Sequence, residues 1–170
     1  MTKKAHEVVA SARKSAAELG HDYIGTEHIL IGLADVKDSV SAKAIESRNI
    51  SKKDIEEKIA KTIGINTGSG IPQDYTPRVK RILGTSVRVA LNMGSGYVGT
   101  EHILIALLGE PDCVAVRILI SLGVNIQRLY EEIRELLGEG DKGQKTAVGV
   151  DGSNMSNDES ETPTLDKPSI

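Results

Sequence analysis

Gly25-Thr26-Glu27-His28-Ile29-Leu30-Ile31 and Gly99-Thr100-Glu101-His102-Ile103-Leu104-Ile105 are the same seven residues, 74 positions apart. Set at that offset without gaps, residues 2–64 align with 76–138. Eighteen of the 63 pairs are identical, and most others exchange like for like, as Val8/Ile82, Ile24/Val98 and Ile63/Leu137 do. A period of this length marks one duplicated supersecondary unit, whose copies bury their apolar faces against each other. The chain therefore reads as a pseudo-twofold tandem repeat forming one domain over 1–138. Repeat 1 covers 1–64, a Gly- and polar-rich inter-repeat linker covers 65–75, and repeat 2 covers 76–138.

Each unit predicts four helices. Ala5, Val8, Val9, Ala12, Ala16 and Leu19 recur at helical spacing, and Gly20 stops the run. Thr26 is placed to cap a short helix carrying Ile29, Leu30 and Leu33. A third helix is expected at about 39–47. Ser51 opens a fourth, with Ile55, Ile59 and Ile63 on one face and Gly64 after it. The second unit follows suit, and Thr76-Pro77 is a cap followed by a first-turn proline. No useful length alternates with period two. The fold class is all-α, with eight helices.

Composition narrows the function. Of 170 residues 39% are apolar and 26% charged, with four Tyr and neither Phe nor Trp, so the core must be aliphatic. Few aromatic platforms remain for stacking bases, and a net charge of −3 offers no basic field for nucleic acid. One cysteine, Cys113, excludes an internal disulfide and suits a reducing compartment. No apolar run approaches the roughly 20 residues that span a bilayer, so neither a membrane nor a nucleic acid is an expected partner and the expected location is the cytoplasm. Residues 139–170 hold seven acids and three bases with widely spaced apolar residues, which predicts a flexible, disordered acidic tail.

Enzymatic chemistry is not expected. The one glycine- and lysine-bearing stretch that approaches a phosphate-binding loop, Gly138 to Thr146, has Gln144 between its glycine and lysine and follows a helix instead of a strand. His6, His21, His28, His102 and Cys113 lack close metal-ligand spacing, so no metal is expected. Glu27 and Glu101 fall in the first turn of a short helix, where an acid complements the helix dipole; equally, identical acids in both repeats would make two equivalent sites. His28 and His102 read as structural, Tyr23 and Tyr97 as packing residues, and Arg78, Lys80, Arg81 and Arg88 as a solvated basic face able to help hold an anion.

The paired Gly-Thr-Glu-His-Ile-Leu motifs, Leu19-Gly20-His21, Tyr75-Thr76-Pro77-Arg78 and the 74-residue period resemble the Clp N-terminal domain, the double four-helix module at the front of ClpA/ClpC-type unfoldase ATPases. The ClpC branch fits best, because Thr162-Pro163-Thr164-Leu165-Asp166 is similar to the passage from linker to first ATPase domain. The resemblance implies a non-catalytic receptor for substrates and for adaptors such as MecA. It further implies ATPase domains further along the chain, which carry the ATP and form a hexamer with a ClpP-type peptidase. A free-standing regulator of the same fold is the alternative. No cofactor is expected in this segment.

The resemblance also supplies a ligand, since ClpC N-domains recognise phosphorylated arginine as a degradation mark through this glutamate. It implies Glu27 and Glu101 for the guanidinium, and Thr2 and Thr76, at the starts of the first helix of each repeat, for the phosphate. Lys3, Arg78, Lys80 and Arg81 are possible supports. Relatives usually carry several residues before the position of Thr2, here preceded only by Met1, so the pocket at Thr2 is expected to be the weaker. The stretches 34–42 and 109–116 depart from the usual Glu-Gly-rich turn, so adaptor docking is not expected to be unchanged.

Overall fold

Thr2 caps the first helix by accepting the Ala5 N–H on Oγ1 at 3.1 Å, and Thr76 caps the fifth by accepting the Val79 N–H at 3.2 Å, with Pro77 in the first turn. From these starts the chain, in a computed structural model that describes residues 1–65, 71–72 and 74–140, forms eight helices. They are α1 (Lys3–Glu18), α2 (Thr26–Asp35), α3 (Val40–Glu46), α4 (Lys52–Thr62), α5 (Pro77–Asn92), α6 (Thr100–Leu108), α7 (Val114–Ser121) and α8 (Ile126–Gly140). The all-α expectation holds, with one addition. Two short parallel strands, β1 (Tyr23–Ile24) and β2 (Asp74–Tyr75), pair with Tyr23 opposite Asp74 and Ile24 opposite Tyr75. Two residues per strand are too few to leave an alternating pattern in the sequence.

The chain divides into two units, Met1–Ile133 and Arg134–Ile170. Of the second, the described residues are the last turns of α8. The rest of the expected acidic tail, most of the stretch resembling a phosphate loop, and Thr162 to Asp166 lie outside the described residues, as do 66–70 and Gln73 within the inter-repeat stretch.

Turn chemistry repeats with the sequence. Gly20 and Gly94 close the first helix of each repeat at φ +75° and +76°, and Asn49 and Gly123, also 74 apart, take φ +62° and +90° before the fourth helix. Within the first unit α2 is the hub, touching α1, α3, α4, α5, α6 and α7. Every residue from Thr26 to Leu33 is buried, as expected of a helix that is apolar nearly all round. The core is aliphatic: Ile24, Ile29, Leu30, Ile31, Leu33, Ile55, Ile59, Ile82, Ile103, Leu104 and Leu107 are among its fully buried side chains. Gly32 lets α1 cross α2 closely, because a methyl there would run into the Val8 carbonyl oxygen.

Reciprocal hydrogen bonds tie the repeats together. Thr26 Oγ1 accepts from Ala115 N at 3.1 Å, and Thr100 Oγ1 accepts from Ser41 N at 3.3 Å. Likewise Thr76 N donates to Ile24 O at 3.0 Å and Thr2 N donates to Val98 O at 2.9 Å. Each pair maps onto the other by the 74-residue shift, which is the pseudo-twofold in atomic form. One expectation is corrected here. Thr26 does not cap α2; Gly25 is the N-cap, and His28 accepts the Gly25 N–H on Nδ1 at 2.8 Å. The threonine hydroxyl instead serves the start of α7, whose own N-cap residue, Cys113, makes no side-chain cap bond.

Candidate functional site

Both glutamates of the repeated motif sit in the first turn of their helices, but their surroundings differ. Glu27 is 3% exposed, and its Oε2 accepts the Tyr23 phenol at 2.9 Å. Burial and the neighbouring Glu27 carboxylate hold that phenol well above its ordinary ionisation range. The Glu27 carboxylate lies back over Gly25, where an added Cβ would stand 2.5 Å from Oε1; Glu101 lies over Gly99 in the same way. The glycine before each threonine is thus explained by space for the acid, since its φ of about −100° suits any residue.

Glu27 faces a cavity of about 380 Å³. Tyr23, Glu27 and Ile63 line it from the first repeat, and Thr76, Arg78, Asp112 and Val114 from the second. This cavity is therefore built from both repeats. Thr76 belongs with Glu27, because its N–H is bonded to Ile24 O beside the motif. Thr2 is bonded to Val98 O, next to Gly99-Thr100-Glu101. The cavity thus joins Glu27 to the helix start of the other repeat. The sequence offset shows which residues are equivalent, but only packing shows that the repeats exchange their helix starts.

The remaining expected site residues have partners. Each capping threonine spends an Oγ1 lone pair on its own helix and retains a hydroxyl proton to donate. Arg78 pairs with Asp112 at 2.8 and 3.4 Å and with Glu110 at 3.4 Å, and this hydrogen-bonded guanidinium holds the Asp112 carboxyl below its usual range. Arg81 pairs with Glu110 at 2.7 Å and Lys80 with Asp74 at 3.1 Å. Three residues of the expected basic face are thus ion-paired, while Arg88 Nη2 donates to Thr85 Oγ1 at 3.1 Å. Lys3 is exposed on the first turn of α1.

Three side chains converge against the sequence expectation. His21, Glu27 and His28 bring donor atoms within 4.8 Å of one another, because the left-handed turn at Gly20 folds His21 back onto α2. A hydrogen-bond relay organises the two rings. Gly25 N–H donates to His28 Nδ1, so His28 carries its proton on Nε2. That nitrogen lies 2.8 Å from His21 Nδ1, and His21 Nε2 lies 2.9 Å from Gly64 O. A neutral His28 in this tautomer has no lone pair on Nε2 to give a metal, so the arrangement fits a relay and not a ligand set. Burial, with His21 adding to it, pushes His28 down to about 3. The second repeat has Ser95 where the first has His21, and there His102 caps Gly99 alone at 2.9 Å.

Tyr23 stacks on His21 at 5.3 Å between ring centroids, which suits the packing role expected of it. Tyr97 does not follow: it is 72% exposed. Asp112, His21 and the bond from Tyr23 to Glu27 were not legible as site features, although the recurrence of tyrosine and aspartate at 23/97 and 38/112 was a signal. Among the described residues no helix is long and apolar enough to cross a membrane.

Comparison with known proteins agrees with this architecture. The family model for the Clp repeat (R) N-terminal domain matches residues 1–110 and 74–158. The chain is 37% identical over 165 residues to the negative regulator of genetic competence ClpC/MecB of Bacillus subtilis, covering 97% of this chain and 20% of that protein. It is 36% identical over 167 residues to the ClpA homolog of Porphyra purpurea, covering 98% of this chain and 20% of that one. The chain thus spans about a fifth of the length of the curated relatives it matches. Among solved structures, the N-terminal domain of ClpD from Arabidopsis thaliana superposes with a TM-score of 0.64 at 23% identity, covering 81% of this chain and 96% of that one. A ClpV N-domain solved in complex with a VipB peptide gives 0.63 at 15% identity, covering 82% and 88%. Duplicated motif, reciprocal caps and matched sequence agree, and the chain belongs to the Clp repeat (R) N-terminal domain family.

Proposed function

We propose that this domain is a non-catalytic receptor that presents substrate and adaptor proteins to a Clp-type ATPase, and that its two pockets take phosphorylated arginine. The observation that carries this reading is the cavity shared by the repeats. One wall holds the Glu27 carboxylate, and the other holds Thr76 and Arg78 at the start of α5. A guanidinium fork matches a carboxylate, and a phosphate matches a hydroxyl and an arginine at a helix N-terminus. The pseudo-twofold repeats this pairing as Glu101 with Thr2, with Lys3 alongside on the first turn of α1. Lys80 and Arg81, tied to carboxylates, support the second wall.

The ClpV N-domain solved with a VipB peptide supports peptide recognition by this fold. In the full assembly the domain would act in the cytoplasm beside hexameric ATPase domains and a ClpP-type peptidase, with adaptors of the MecA kind as further partners. Two weak pockets per domain, repeated around a hexamer, would raise avidity for multiply tagged substrates.

Calorimetric titration of residues 1–170 with free phosphoarginine, with arginine and phosphoserine as controls, tests the reading. Near two equivalents are expected, falling to one in Glu101→Ala and to none when Glu27→Ala is added. Absence of binding with intact helical circular dichroism rejects phosphoarginine as the ligand.

A further inference from the structure

We infer that the two sites are not equivalent: around Glu27 the groups that would take ligand are engaged by two internal contacts, Tyr23 to Glu27 and Asp112 to Arg78, while around Glu101 both contacts are missing. The inference rests on the phosphoarginine reading above, reverses the expectation that the pocket at Thr2 is the weaker, and assigns Tyr23 and Asp112 as the residues that set affinity at the Glu27 site. A guanidinium fork needs both oxygens of the carboxylate. In Glu27 the tyrosine phenol occupies Oε2 at 2.9 Å, whereas among the described residues Glu101, folded over Gly99 as Glu27 is over Gly25, accepts no phenol and has only His102 Nε2 at 3.9 Å from Oε2. The phosphate end needs Arg78, whose guanidinium is engaged by both Asp112 oxygens, at 2.8 and 3.4 Å. Ligand must therefore displace a phenol at one end and a carboxylate at the other.

The symmetry-related positions lack both contacts. Tyr97 stands where Tyr23 does and is 72% exposed, and the Glu101 side chain is 20% exposed. Lys4 and Asp38 replace Arg78 and Asp112. Lys4 Nζ bonds the Lys37 carbonyl at 3.3 Å, and among the described residues Asp38 makes no ion pair. Backbone geometry accounts for the difference, since Asp38 has φ +65° while Asp112 has no positive φ.

Two measurements on the 170-residue chain test this. The first follows the amide signals of Gly25 and Gly99 by NMR during titration with phosphoarginine. The Gly99 signal is expected to saturate first, and Tyr23→Phe or Asp112→Asn should each tighten the Gly25 response by about tenfold while leaving Gly99 unchanged. Equal affinities in the unsubstituted chain, or no gain in either variant, overturn the inference. The second needs no ligand: ultraviolet titration should show the Tyr23 phenol, identified by its loss in Tyr23→Phe, ionising well above the ordinary tyrosine range, and Glu27→Gln should lower it part of the way. If neither site binds in any variant, the phosphoarginine reading fails, and the phenol titration judges the Tyr23–Glu27 contact by itself; a Tyr23 that ionises in the ordinary tyrosine range overturns it. Circular dichroism of each variant establishes that the fold is intact.

Discussion

At the scale of single residues, the motif Gly-Thr-Glu-His divides four tasks among four neighbours. Glycine leaves room for the acid, threonine caps a helix of the other repeat, glutamate faces the pocket, and histidine caps its own helix. The histidine was legible as structural, but its role was not, because a capping histidine three residues after the N-cap has no distinctive spacing. His28 also has a consequence for stability. Its folded-state value of about 3 lies below the ordinary value of 6.5, so between these the unfolded chain binds a proton that the folded chain excludes. Stability is therefore full above the ordinary value and lost on acidification, by up to roughly 1.4 kcal/mol per pH unit from this group. NMR should find His28 neutral at pH 5. Urea unfolding at pH 7 and pH 5 should show the midpoint falling, with a smaller fall in His28→Asn, which keeps an acceptor for Gly25 N–H.

Among the elements, helix periodicity carried most of the reading, and the observed bounds of α3 and α4 lie within a residue or two of those expected from Val40, Ala44, Ile55 and Ile59. The misplaced cap at Thr26 is instructive. A threonine hydroxyl can accept from the first-turn N–H groups of its own helix, yet here it reaches Ala115 N, 89 residues along the chain. Local rules see only local partners. Thr26→Val keeps the shape and leaves a buried N–H at the start of α7 without its acceptor, which costs about 1–3 kcal/mol. The same change at Thr100 should cost less, because the Ser41 N–H that it orphans makes the longer bond, 3.3 Å against 3.1 Å. Denaturant unfolding of the two variants orders them.

For the molecule as a whole, duplication has produced shared structure. Thr2 and Thr76 each donate to the opposite repeat, the short strands join β1 to the stretch before α5, and the Glu27 cavity takes walls from both halves. A single repeat would leave the all-round apolar α2 uncovered and its caps unmade. Residues 1–65 alone are accordingly expected to show weak helical circular dichroism and a broad thermal transition, whereas the 170-residue chain melts cooperatively. A cooperative melt of the isolated repeat would show that the cross-repeat bonds are incidental to folding.

The sequence by itself determined that the chain is helical, duplicated and aliphatic in its core, because helix period, caps and a 74-residue repeat are properties of order along the chain. It also singled out Glu27 and Glu101, since duplication marks them. Tertiary structure alone decided that Thr76 shares a cavity with Glu27, that His21, Glu27 and His28 meet, and that Tyr23 bonds Glu27 and Asp112 bonds Arg78 while Tyr97 is exposed and Asp38 turns through a positive φ. These depend on distances between residues tens of positions apart and on the sign of φ at a single aspartate, neither of which a linear pattern records.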